Sequence, residues 1–386
     1  MVALKRNLPG QAEESEDQKF QYYKAGKNKA LNLGNRGPIK FNPDGSLAKQ
    51  ILDAYSEFGF YVFEDVISTA EIKDLENGVA SILKRLPVSE DSTIDSSGNP
   101  AIGTNCEAPT LFWSKPLGDP FGGTTLANGR HPVKMNEPQP SKNSPEKIVY
   151  LILGTLQFSD ELLRTYAHPE LLKVAEQING EDFVPFTDAL FIKEPGMGAS
   201  VAWHRDGTTH WDSANFDERT HGFNFMIQLY GCTEKNGVWV VPGTHKKRYV
   251  DIAKMVSDAG SERVEDAVPM ICNPGDVVIS NRQVVHGSFA NTSNEWRVTI
   301  NQGFHRRKSV LGVKGGGLHG EPAIYDAERI IERSKVIKLA IEARKQRFPD
   351  EEAFEYKPLS TSTGDFTWNA AAKRSLHDYN LLDLSI

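Results

Sequence analysis

Apolar and polar positions along this chain fall into three textures, and each predicts a different kind of structure. Residues 1–45 are polar, rich in Lys, Asn, Gly and Glu, and lack a sustained period, which predicts an arm laid over a folded body, with order beginning near Ser46. From there the pattern is helical, then extended, then helical again. Leu47, Ile51, Ala54 and Tyr55 recur at helical spacing, residues 58–66 read as a strand, and Ser68-Thr69 offers the cap of a following helix. Residues 88–146 hold many Pro, Gly, Ser and Asn and predict long loops, which in a compact domain are seldom kept without a use. A further helical stretch covers 160–178, with Pro169 at a helix start and Gly180 just beyond an end.

After residue 180 the texture becomes extended. FVPFTDALFIKEP, GFNFMIQLYG, GVWVVPG, AVPMICNPGDVVIS, QVVHGSFAN and WRVTINQGFHRR are short β-branched and aromatic runs separated by Gly, Pro, Asn and Asp. Such runs, without helices long enough for parallel crossovers between them, predict an antiparallel sandwich or barrel. In FNFMIQL the alternation puts Asn224, Met226 and Gln228 on one face, the better candidate for a cavity lining, and Phe225, Ile227 and Leu229 on the other. Residues 326–347 predict a helix that is apolar around much of its surface, so it should pack against the barrel or a second subunit, as in a homodimer. The organisation expected is an arm (1–45), one domain (46–310) with a loop-rich insertion (88–146), and a C-terminal helix and tail (311–386) packed on that domain.

Composition narrows the function. The 39% hydrophobic content over 386 residues suits an ordinary globular protein, and a net charge of -7 argues against a general nucleic-acid binder. No run approaches the ~20 apolar residues of a membrane span, and the first residues lack a signal-like apolar stretch, so a cytoplasmic protein acting on a small molecule is expected. Three widely spaced cysteines form no CxxC and suggest neither a zinc knuckle nor a disulfide framework.

The candidate chemistry sits in VAWHRDGTTHWD, residues 201–212, which offers His-x-Asp twice, as His204-Arg205-Asp206 and His210-Trp211-Asp212. With 51 Asp and Glu in the chain such pairs arise readily by chance, and His168-Pro169-Glu170 and His319-Gly320-Glu321 are further examples. If His204 and Asp206 end a strand, their side chains share a face, and a third ligand from another strand would complete two imidazoles and one carboxylate. That set suits Fe(II) and leaves positions open for a cosubstrate and oxygen. His286 is the candidate third ligand. It alone among the ten histidines is followed eleven residues later by an arginine, Arg297, and a tight turn at ANTSNE would return that arginine to the same end of a barrel. There it could hold a dicarboxylate through a charge-assisted contact.

The segment 191–305 resembles the phytanoyl-CoA dioxygenase family of iron- and 2-oxoglutarate-dependent oxygenases, through WHRDG, NGVWVVPGTH, PGDVVISNRQVVHGS and HGSFANTSNEWR, with FGFYVFEDVISTAEIKDL as a weaker match near the N-terminus. The resemblance implies a mainly β fold with flanking helices around a double-stranded β-helix (jelly-roll, cupin-like) core. It implies His204, Asp206 and His286 as ligands of Fe(II), and Arg297 with Ser288 as the site of the 2-oxoglutarate 5-carboxylate. Thr299 is a rival to Ser288, and Met226 falls near a position that touches the cosubstrate. His210 and Asp212 are left as loop residues near the mouth, and His245 as a turn-fixing residue.

The implied reaction consumes 2-oxoglutarate and O2, releases succinate and CO2, and oxidises an unactivated C–H bond of a small organic substrate. Hydroxylation is the default, with desaturation, ring closure, epoxidation and endoperoxidation open on the same ligands. Halogenating relatives lack the carboxylate ligand, so Asp206 argues against halogenation. A tailoring enzyme for a secondary metabolite or amino-acid derivative fits better than an acyl-CoA 2-hydroxylase, because the 88–146 insertion and long C-terminus depart from a minimal member. A non-catalytic or non-oxidative cupin-like metal-binding protein is the reading from another class. The basic runs HKKR (245–248) and HRRK (305–308) are solvated strand ends or attract an anionic substrate, and part of 100–146, with Phe112, Trp113 and Arg130, is expected to line the mouth as a lid.

Overall fold

The protein is described by a computed structural model covering residues 15–206, 222–315 and 322–384. The pairs His210/Asp212 and His319/Glu321 lie outside the described residues. In chain order the strands of the two main sheets are β1 (Arg36–Gly37), β2 (Phe60–Phe63), β3 (Leu111–Ser114), β4 (Ile148–Leu153), β5 (Val184–Lys193), β6 (Val201–His204), β7 (Gly222–Gln228), β8 (Trp239–Val241), β9 (Val268–Pro269), β10 (Val277–Asn281), β11 (Val285–Ser288) and β12 (Arg297–His305). The α-helices are α1 (Glu16–Leu31), α2 (Lys49–Phe58), α3 (Thr69–Lys84), α4 (Asp160–Thr165), α5 (Pro169–Asn179), α6 (Ile252–Ala259), α7 (Arg307–Val310), α8 (Ala327–Arg347) and α9 (Ala370–Ser375).

Two sheets result. The larger has eight strands in the order β1-β2-β10-β7-β12-β5-β4-β3, and the smaller has four in the order β6-β11-β8-β9. Apart from the parallel β1–β2 pair, neighbours run antiparallel. Period-two alternation gives the large sheet two different faces. Val298, Ile300 and Phe304 of β12, Phe223, Phe225 and Ile227 of β7, and Leu190 and Ile192 of β5 join one core with residues of α3, α4, α5 and α8. The intervening positions, including Arg297, Thr299 and Asn301 of β12 and Asn224 and Met226 of β7, line a cavity whose other wall is the small sheet. The alternation read from FNFMIQL holds, with Asn224 and Met226 on the cavity side.

Local chemistry explains the helices. Ser68 Oγ accepts from the Glu71 amide at 3.2 Å to cap α3, and α5 starts at Pro169 and ends at Gly180 (φ 96°). Helix α8 packs on the outer face of the large sheet within this chain: the buried Arg333 donates from Nε to the Phe186 carbonyl at 2.8 Å and pairs with Asp383 at 3.1 Å. Its other end is tied by Arg344 to Glu71 at 2.5 Å and to Glu351.

Two segments depart from the sequence reading. The polar stretch 1–45 contains α1, opened by a capping box between Ser15 and Gln18, so order begins well before Ser46. Its buried stripe is Tyr23, Gly26 and Ala30, at helical spacing but too weakly apolar to register as a period, and Tyr22 stacks on Trp239 with ring centroids 4.6 Å apart. Gly26 is required there, because an added Cβ would lie 2.4 Å from the Trp239 ring. The insertion 88–146 contains β3, which pairs with β4 at the edge of the large sheet. Among the described residues, no helix is long and apolar enough to cross a membrane.

Candidate metal centre and the cavity around it

Strands β6 and β11 pair antiparallel with His204 directly opposite His286. Their imidazole centroids are 4.2 Å apart. Asp206 follows just beyond the end of β6, where its amide donates to the Arg282 carbonyl at 2.9 Å and turns the carboxylate back toward the two rings. His204 Nε2 lies 3.4 Å from Asp206 Oδ1 and His286 Nε2 lies 3.9 Å from Oδ2. One ligand atom from each of the three residues falls within 4.8 Å of the others.

The electrostatics suit a cation. His204 Nδ1 sits 2.8 Å from the Ala202 carbonyl and His286 Nδ1 3.0 Å from that of Val284, so each Nδ1–H donates to backbone and each Nε2 is turned toward the centre. Burial, reinforced by the neighbouring His204, pushes the His286 pKa down to about 4, which keeps the ring neutral. Burial pushes the Asp206 carboxyl up, but His286, His204 and Arg130 outweigh it and hold the group well below the usual carboxylate range. Asn224 Nδ2 donates to Asp206 Oδ2 at 2.7 Å and fixes the carboxylate plane. Two imidazoles and a carboxylate fit a divalent first-row metal with open positions.

The opposite wall carries Arg297. It is 3% exposed, its Nε donates to Thr299 Oγ1 at 2.9 Å, and that hydroxyl donates in turn to Gln228 Oε1 at 2.8 Å. The Thr299 proton is thereby committed, which makes Thr299 a support of Arg297 and not a donor into the cavity. One guanidinium arm of Arg297, Nη1, is buried with no partner. Such a group in a low-dielectric wall calls for an acceptor. Ser288 is 2% exposed and lines the same cavity, as does Met226. The apolar lining of the cavity includes Phe121, Leu151, Phe191 and Val238.

Of the three insertion residues expected at the mouth, Arg130 lines the cavity, but Phe112 and Trp113 do not. Their strand completes the sheet edge, Phe112 packing beside the Phe121 cluster and Trp113 against the main core. The sequence reading missed His131, which also lines the cavity, stacks on Phe121 and lies with its ring 4.3 Å from that of His204. No local period marks it. The signal that could have found it is its place beside Arg130 in a long Gly-rich loop. His245 fixes a turn: its Nε2 lies 3.0 Å from the Ser56 carbonyl and its ring fills the space over Gly59.

Comparison with known proteins agrees with the resemblance drawn from the motifs. Residues 146–299 match the model of the phytanoyl-CoA dioxygenase (PhyH) family. Dioxygenase cdmD of Talaromyces verruculosus is 32% identical over 155 residues, 38% of this chain, and the match spans about half (47%) of that relative's length. A phytanoyl-CoA dioxygenase domain-containing protein 1 of Danio rerio is 23% identical over 275 residues, covering 65% of this chain and 87% of its own. A crystal structure of EctD from S. alaskensis with 2-oxoglutarate and 5-hydroxyectoine is similar over 74% of this chain and 89% of that one, with 20% identity and a TM-score of 0.49.

Proposed function

With residues 146–299 in the phytanoyl-CoA dioxygenase family and its class of 2-oxoglutarate-dependent dioxygenases, we propose that the whole chain is an Fe(II)- and 2-oxoglutarate-dependent oxygenase. It oxidises an unactivated C–H bond of a small organic substrate, by hydroxylation as the default outcome, on a double-stranded β-helix formed by the two facing sheets. One observation carries the reading: two imidazoles and a carboxylate converge on one side of a cavity whose other side presents a buried arginine arm without a partner.

In this reading His204, Asp206 and His286 hold the iron, and the iron when bound supplies the activation of O2. The chain supplies positioning and a dry site. Arg297 takes the 5-carboxylate of 2-oxoglutarate, held at the right angle by Thr299 and Gln228, and the Ser288 hydroxyl adds a neutral donor. Met226 gives the cosubstrate's carbon chain an apolar surface. Asn224 keeps Asp206 oriented, and Phe121, Phe191 and Val238 exclude water.

A small substrate, of the kind met in secondary-metabolite or amino-acid tailoring, fits this cavity better than an acyl-CoA. In the first basic run one lysine is already paired and the backbone is held by Arg205. Lys246 pairs with Glu57 at 2.8 Å, and Arg205 donates to the carbonyls of Lys247 and Arg248 at 2.9 Å each. Succinate formation from 2-oxoglutarate, with Fe(II), across a panel of acyl-CoAs and small amines and acids tests the reading. Turnover coupled to a small acid or amine is expected. Coupling to acyl-CoAs alone would replace the substrate class, and absence of any 2-oxoglutarate turnover, coupled or uncoupled, would end the proposal.

A further inference from the structure

The insertion delivers a charge that the chemistry above leaves without a use. Arg130 reaches the cavity beside the metal ligands, its Nη2 3.8 Å from Asp206 Oδ1, beyond a normal hydrogen bond, and its Nε is buried with no partner. Asp206 is the only carboxylate among the described residues that line this cavity, and it already receives Asn224 and faces two imidazoles. A metal would occupy it further. Among the charged side chains that line the cavity, Asp206 is balanced by one of the two arginines, and a dianionic cosubstrate would be balanced by a divalent ion, which leaves one guanidinium over. A cation largely withdrawn from water without a counter-charge is costly, and the ordinary remedy is an anion in the site.

The way Arg130 is held points the same way. Ala127, Asn128 and Gly129 all have positive φ (49°, 58° and 69°), so two residues with a Cβ stand in the left-handed region immediately before Arg130. Such conformations persist only where surrounding structure over-determines them, and they gather at ligand sites. The flanks are anchored: Asp119 accepts from the amides of Gly122 at 3.0 Å and Met135 at 2.7 Å, and the Gly123 amide donates to the His131 carbonyl at 2.8 Å.

We propose that Arg130 is the receptor for a carboxylate of the substrate itself, so that the enzyme acts on small organic acids, with the group anchored at Arg130 and a carbon near it presented to the metal. This rests on the function proposed above. The other carboxylate that could reach Arg130 is the 1-carboxylate of 2-oxoglutarate, and the test separates the two.

Calorimetric titration would use enzyme loaded with Fe(II) and 2-oxoglutarate and held without oxygen. The probes are small carboxylates, each paired with its primary amide, phenylacetate with phenylacetamide among them. At least one carboxylate should bind tenfold or more tightly than its amide, and Arg130→Gln should erase about that factor for the acid while leaving the amide unchanged, as expected for removal of one side of a desolvated charge pair. Arg130→Lys, which keeps the charge, should retain the preference for acid over amide. Iron content and 2-oxoglutarate affinity should stay within twofold of wild type in both variants. A matching loss of 2-oxoglutarate affinity in Arg130→Gln would assign the residue to the cosubstrate and overturn the proposal. Equal binding of acids and amides, or no binding of any acid, would also overturn it. Failure of the wild-type enzyme to bind iron or 2-oxoglutarate would instead strike the function on which it rests.

Discussion

The candidate metal ligands and the loop residues beside them meet in one cavity but are held in opposite ways. His204 and His286 face each other in strand register, each is fixed a second time through Nδ1 to a carbonyl, and Arg297 is braced by Thr299 on a strand of the large sheet. Arg130 and His131 come from a loop that crosses 33 positions between β3 and β4, through three successive left-handed residues. Groups fixed several times over suit chemistry that must be repeated without error. A loop suits the contact that differs from one substrate to another, since its residues can change without disturbing the sheets.

The most forceful way to break this contrast is to remove a ligand. His204→Ala, Asp206→Ala and His286→Ala should each abolish iron binding and succinate release while the far-ultraviolet dichroism stays native. A variant that keeps stoichiometric iron and activity would take its residue out of the centre. Arg297→Leu comes next, with a 2-oxoglutarate KM raised at least about tenfold and iron unaffected, because truncation strands one side of a buried charge pair. Ser288→Ala should do the same more mildly, by about fivefold, equivalent to ~1 kcal/mol for a neutral donor. Initial rates against 2-oxoglutarate concentration decide both.

Acid tests the frame without touching the site. Burial first, then Arg344, holds the His168 pKa down to about 4 against an unfolded value of 6.5, and burial does the same to His245. A histidine depressed in the folded state takes up its proton first in the unfolded chain, so stability is complete above pH 6.5 and falls as the pH drops from 6.5 to 4. Urea midpoints measured across that window should decline, and His168→Gln should flatten the decline. A slope unchanged by that substitution would remove His168 from the account. The smallest effect belongs to the loop. Ala127→Gly relieves a left-handed alanine and should raise stability by about 0.5 kcal/mol, the net of relieved strain and a freer unfolded chain. The 2-oxoglutarate KM should not move, and a change in it would mean that loop and frame act as one unit.

What was legible in the sequence follows the same division. The six extended runs after residue 180 became β5 and β7–β12, because β-branched and aromatic runs bounded by Gly, Pro and Asn leave a chain little else to do. His204, Asp206, His286 and Arg297 could be picked out because strands convert sequence spacing into spatial position, two residues apart on one face or a hairpin apart at one end. Helix α1 was not legible, since Tyr23, Gly26 and Ala30 bury a face that no hydrophobicity period marks. Strand β3 was hidden in a Pro- and Gly-rich context that suits an edge strand as well as a loop. His131 was missed because a loop has no period, so nothing in the spacing fixes where its side chain goes. The Asn224–Asp206 bond joins residues 18 apart and depends on how β7 lies against the end of β6, a tertiary fact with no local trace.

The two-faced large sheet has a consequence for how such a protein changes over generations. Along β12, Val298, Ile300 and Phe304 answer to folding, while Arg297, Thr299 and Asn301 answer to what the cavity holds. Neighbouring codons are thereby under different selection. A substitution at one parity is screened for whether the protein survives, and at the other for what it does, so new specificities can be sampled at a modest risk to the scaffold. A directed library confined to the cavity parity of β7 and β12, with the helix-facing parity left untouched, exploits a separation of variables that the pleat itself provides.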